Sequence, residues 1–120
     1  MHVPGRDESQ WVSDHGRLDQ RELALHRVVA EKLERDPSLL QVAQGNIARW
    51  RRQGVRSPYF LEWESILTEP LPSVLELLRS PDERAVRLRQ SSPFAGILSE
   101  QERLAIYNAF AARAYYSRGR

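Results

Sequence analysis

Proline placement constrains this chain more than any other feature. Four of the seven prolines follow a short polar residue, in the pairs Asp36-Pro37, Ser57-Pro58, Ser80-Pro81 and Ser92-Pro93. Proline disfavours the α conformation in the residue before it and itself fits the first helical position. A pair of this kind therefore ends one helix and opens the next. The first three pairs sit at the heads of segments with helical apolar spacing, and the fourth opens a loop.

Those signals divide the chain as follows. Residues 1–17 are polar, with Pro4, Gly5 and Gly16 and no helical stripe, and read as a loose arm in which only Trp11 and Val12 could dock. A first helix is expected from Asp19, where Asp19 and Glu22 match a capping box and Leu18 and Leu23 a hydrophobic staple. Leu25, Val28, Val29 and Leu33 form its apolar face. The second helix runs from about Pro37 to Gln53 on Leu39, Ala43, Ile47 and Trp50, with Gly54 as its stop. The third, about 58–68, turns Tyr59, Trp63, Ile66 and Leu67 inward. A short fourth helix, Pro72 to Arg79, carries Val74, Leu75 and Leu78. The fifth, about 81–90, is read with Ser80 and Glu83 as its capping box and Ala85 and Leu88 as its inner side. The last begins after Ser99, capped with Glu102, on Leu104, Tyr107, Phe110 or Ala111, and Ala114. Fraying is expected from about Tyr115, with 117–120 outside the domain.

No segment alternates as a strand does, and the Pro-headed segments share no side-chain pattern, so they are not repeats. The expected fold is all-α: a compact single domain of about six helices over 18–116, with a loose N-terminal arm. Ten aromatics help to close one core.

Composition excludes several functions. There is no Cys, hence no disulfide, thiol nucleophile or Cys-ligated metal. Three His, at 2, 15 and 26, make an all-His metal site unpromising. No phosphate-binding Gly-rich loop is present. No cofactor and no metal are therefore expected. No apolar run nears the roughly 18 residues of a spanning helix, and no signal peptide opens the chain, so the expectation is a cytoplasmic protein without membrane contact. Basic and acidic residues number 18 and 16, and all but Lys32 of the basic ones are Arg.

Four features compete as sites. His26 and Glu22, four apart on a helix, could exchange protons, but such a spacing is far more often a surface or boundary pair, and no catalytic residue is assigned. Ser91 and Ser92 are not explained as caps, yet no His is placed near them by sequence. Arg49, Arg51, Arg52 and Arg56 surround Trp50 without an acid, the composition of a phosphate-binding patch. The same residues also suit a helix C-terminus and could reach acids in the fold. Charges are sorted: Glu62, Glu64, Glu69 and Glu76 occur without a basic residue, then Arg79, Arg84, Arg87 and Arg89 against Asp82 and Glu83. Arg and aromatics favour protein interfaces. Finally, Phe94, Ile97 and Leu98 lie in a loop and must be buried, most simply as a plug in the domain's own core, or else Phe94 is offered to a partner.

The strings Leu25-His26-Arg27, Val29 to Leu33, Ala48-Arg49-Trp50, Glu62-Trp63, Leu88 to Gly96 and Glu102-Arg103 together resemble a family of small bacterial proteins common in high-GC genomes and associated with toxin–antitoxin gene pairs. The resemblance covers about residues 19–110 and leaves out the arm. It implies a non-enzymatic protein that binds and neutralises a toxin encoded by a neighbouring gene, with autoregulatory DNA binding. It carries over no catalytic residue. The expected partner surface is Arg84, Arg87 and Arg89 with Trp11 or Phe94 as apolar anchor. The alternative is a DNA-binding regulator using Arg49, Arg51, Arg52 and Arg56.

Overall fold

The computed structural model describes the backbone of residues 4–118 and the side chains of residues 19–112. Among the described residues there are six α-helices and no strand. They are α1 (Pro4–Arg35), α2 (Leu40–Arg52), α3 (Pro58–Ile66), α4 (Leu71–Arg79), α5 (Glu83–Arg89) and α6 (Glu100–Arg118), with a 3-10 turn at Pro37–Leu39 leading into α2. The domain is all-α, as the proline pattern requires.

The helix heads show why. Asp36 accepts from the Ser38 N–H at 3.2 Å and Ser57 from the Tyr59 N–H at 3.2 Å, each just before its proline. Ser99 and Glu102 close both halves of a capping box: the Glu102 N–H donates to Ser99 Oγ at 3.1 Å and the Ser99 N–H to Glu102 Oε1 at 2.9 Å.

Two heads differ from expectation. The backbone enters α1 at Pro4, so the start expected at Asp19 falls inside a continuous helix and the arm's backbone is its first part. No proline stands between Pro4 and Pro37 to stop that helix, and Gly16 alone costs only about 1 kcal/mol there. The side chains of 1–18, Trp11 among them, lie outside the described residues. Helix α5 starts at Glu83, not Pro81. Asp82 is its cap, accepting from the Ala85 N–H at 2.8 Å, while Ser80 Oγ accepts from the Asp82 N–H and orients that cap. Asp82, two residues on, supplants Ser80 because its carboxylate both caps the helix and complements the helix dipole.

Helix α1 is the spine, packing on α4, α5 and α6. Val29, Ala30 and Leu33 on its inner face meet Ala43 and Ile47 of α2, Trp63 and Ile66 of α3 and Val74 and Leu78 of α4 in one core. Phe60, absent from the expected stripe of α3, is buried as well. Trp63, fully buried, donates its indole N–H to the Leu88 carbonyl at 2.9 Å, tying α3 to α5. Helix α6 lies against α1, so only a narrow stripe is covered. Ile106 and Tyr107 are half-buried, whereas Leu104, expected inside, is 49% exposed. Among the described residues no helix is long and apolar enough to cross a membrane.

Candidate functional site

Residues 91–98 work as the expected plug, and side chains from the helices bond several of their polar atoms. Phe94, Ile97 and Leu98 are buried in the core, and Gly96 makes the sharp reversal at φ +90°. The Phe94 ring meets Trp63 edge-on, centroids 5.4 Å apart, and His26 edge-on at 6.3 Å.

Three side chains from the helices grip this loop. Asn46 of α2, buried, donates its amide to the carbonyls of Pro93 and Ala95, both at 2.8 Å. Its own carbonyl accepts from Arg49 at 3.0 Å, which fixes the amide's orientation. Lys32 of α1 donates to the Ile97 carbonyl at 3.2 Å and to the carboxylate of Glu102. That lysine, with the Ser99 N–H, holds the Glu102 carboxyl down at about 2.

The third grip is His26, which is neither a surface nor a boundary residue but 1% exposed. Its Nδ1 lies 2.7 Å from the Glu22 carbonyl, an acceptor, so Nδ1 carries the proton. Nε2 therefore accepts from the Ser92 hydroxyl at 2.8 Å. The partner of His26 is thus a serine far along the chain and a main-chain oxygen; the Glu22 carboxylate stands 3.7 Å from Arg21 instead. The distances match those of a serine nucleophile and its base. Burial, however, pushes the imidazole down to about 4, the Glu22 carbonyl opposing and Arg89 adding to the shift. A base that weak draws little on an alcohol proton, and the Ser92 oxygen also accepts from the Phe94 N–H at 3.3 Å. The contact is best suited to latching the loop. A cavity of about 190 Å³ beside it is lined by His26, Ser92, Gly96, Arg103 and Tyr107. Arg21 stacks over the Tyr107 ring at 4.5 Å. Among the described residues no group of three or more His, Asp or Glu could hold a metal.

The expected partner surface is only partly a surface. Arg84 and Arg87 are exposed, in ion pairs of 3.8 Å with Glu62 and Glu83. Arg89 is not: it is 3% exposed and donates to the carbonyls of Leu77 (3.2 Å) and Ser80 (2.6 Å) at the C-terminus of α4. There its charge meets the negative end of that helix. Burial lowers its pKa, with Asp82 and Asp19 opposing. Its place at 85, 88, 89 on the inner face of α5 was the available signal. Phe94 is likewise inside. Of the basic patch, Arg51 is the residue that reaches an acid, pairing with Glu64. Arg49 is spent on Asn46. Arg52 and Arg56 are exposed and have no ion-pair partner among the described residues.

Compared with family models, curated proteins and solved structures, the chain finds no match.

Proposed function

We propose that the chain is a helical protein-interaction module, an antitoxin-like protein that binds and neutralises a partner toxin in the bacterial cytoplasm. One observation carries the reading. The Arg84 and Arg87 side chains are 61% and 58% exposed, and among the described residues each makes a single ion pair, of 3.8 Å. Exposed pairs of that kind contribute about 0–1 kcal/mol, so a partner's carboxylates displace Glu62 and Glu83 at little cost and form stronger, desolvated contacts. The buried side chains of His26, Asn46 and Arg89 by contrast bond main-chain carbonyls or Ser92 and tie the domain together, and this favours a binding role over a catalytic one. Arg89 and Phe94 do not belong to this surface.

Co-expression with the product of the neighbouring gene tests the reading. Co-elution and rescue from toxicity are expected, both weakened by Arg84→Glu with Arg87→Glu. If no adjacent gene product co-elutes and its toxicity is unaffected, the reading fails.

A second reading, a DNA-binding regulator, draws on Arg52 and Arg56. Arg49 bonds a neutral amide and Arg51 an exposed carboxylate, so Arg52 and Arg56 alone correspond to a salt slope of about −2 and all four arginines to about −4. A mobility shift on the chain's own promoter at low salt, lost on Arg52→Glu with Arg56→Glu, would favour it.

A further inference from the structure

A groove of about 400 Å³ opens where the α2–α3 connection meets the end of α5. Its apolar lining is Trp50, Val55 and Phe60, and its polar lining is Ser57, Gln90, Ser91 and Ser92. The Trp50 and Phe60 rings stack at 5.5 Å with 26° between their planes, so the half-buried indole is held against the buried phenyl ring. Val55 is 46% exposed. Its N–H donates to the Trp50 carbonyl at 2.9 Å, and Gly54 turns the chain at φ +83°, so the backbone that presents this valine is held in place.

The charge around the groove is mainly positive, and the one carboxylate that reaches the patch, Glu64, is paired with Arg51. Residues 49–61 contain no acid. Arg56 stands between Val55 and Ser57, both of which line the groove, and is exposed with no ion-pair partner among the described residues, as is Arg52. Gln90, in the polar lining, lies one turn beyond the exposed Arg87.

We propose that this groove docks an acidic segment of a protein partner, which inserts one apolar side chain against Trp50, Val55 and Phe60 while its flanking carboxylates meet Arg52 and Arg56. The inference rests on reading the chain as a protein-interaction module and gives that module a second contact next to Arg87. The Gln90 amide and Ser91 hydroxyl supply hydrogen bonds for the segment's peptide groups. A nucleic acid fits less well. One face of Trp50 is already taken by Phe60, which leaves a single face for base stacking, and Arg51 meets a phosphate only by leaving Glu64.

The test uses four fluorescein-labelled probes and the whole chain. They are a short Asp/Glu-rich peptide with a central Leu, the same peptide with a central Ser, a Lys-for-acid version of the Leu peptide, and an oligothymidylate of similar length. Binding is read by anisotropy at physiological salt and located by chemical shifts. The acidic Leu peptide is expected to bind and to move the Trp50 indole and Val55 methyl signals. Its central Ser, Val55→Ser, or Arg52→Glu with Arg56→Glu should each weaken binding roughly tenfold or more, with the helical circular dichroism of the variants unchanged. Arg35→Glu should leave binding unchanged. The proposal is overturned if the acidic Leu peptide fails to bind, if the Ser or Lys peptide binds equally well, if the oligothymidylate binds more tightly, or if the shifts lie elsewhere. Its failure is separable from that of the toxin reading. Peptide binding without neutralisation leaves the groove and removes the toxin. Neutralisation that Arg52→Glu with Arg56→Glu does not impair, without peptide binding, does the reverse.

Discussion

Acidification should loosen this protein through one imidazole. In the unfolded chain His26 takes up a proton near its ordinary 6.5, but in the folded domain burial delays uptake to about 4. Between those values the unfolded state binds more protons, so stability falls as pH falls; below about 4 the contribution is fully lost. The slope is about 1.4 kcal/mol per pH unit, and the whole window is worth about 3 kcal/mol. A domain of this size has roughly 5–15 kcal/mol in total. The protonated ring also has no lone pair for the Ser92 hydroxyl, so the latch on 91–98 opens with it. Urea denaturation followed by tryptophan fluorescence, with Trp63 against Phe94 as reporter, should be run from pH 7.5 down to 4 for wild type and His26→Gln. The variant is less stable at neutral pH, but its stability curve should be flatter than wild type between 6.5 and 4, because every other titrating group cancels in the comparison. Parallel curves would refute the reasoning. Should the variant not fold, an imidazole titration by NMR that places His26 near 6.5 in the native protein refutes it equally.

Three further outcomes follow from the same loop. Asn46→Ala should cost about 2 kcal/mol, since it strips the Pro93 and Ala95 carbonyls of a shared donor; thermal denaturation measures it. Gly96→Ala should cost about 1–2 kcal/mol although nothing stands within 4 Å of the added methyl, because the cost lies in φ +90° and not in space; a neutral result in the same assay would show that the turn relaxes. Lys32→Met should let the Glu102 carboxyl rise from about 2 toward the ordinary carboxylate range, as the ammonium bonded to it is removed while the Ser99 N–H remains; carboxyl-carbon NMR titration reads the shift directly.

Local chemistry was legible in the sequence wherever one turn of chain decides it. Ser57, Asp36 and the Ser99–Glu102 box behave as their spacing implies, and the apolar stripes of α1 to α4 face inward. Phe94 plugs the core because an aromatic in a short loop has nowhere else to go. The misses have two physical sources. Where two capping residues stand two positions apart, as Ser80 and Asp82 do, spacing does not choose between them, and hydrogen-bond geometry does. The other misses are contacts between distant segments. The His26–Ser92, Asn46–Pro93 and Lys32–Ile97 bonds join residues whose proximity depends on where the 91–98 loop settles against α1 and α2, and no periodicity reports that. Arg89 was misjudged for its charge: a guanidinium at an inner position is tolerated because the end of α4 offers it two carbonyls.

The grip on 91–98 takes hold of main-chain oxygens at 93, 95 and 97, every second residue, while Phe94, Ile97 and Leu98 fill the interior. Such an arrangement is a ruler. It is nearly blind to the side chain at Ala95, an exposed residue, and unforgiving of length. One residue inserted or deleted between Pro93 and Ile97 would set the wrong oxygens before Asn46 and Lys32 and carry Phe94 out of step with Trp63. Among variants of this chain, the stretch should therefore accept substitution at Ala95 and never a change in its residue count.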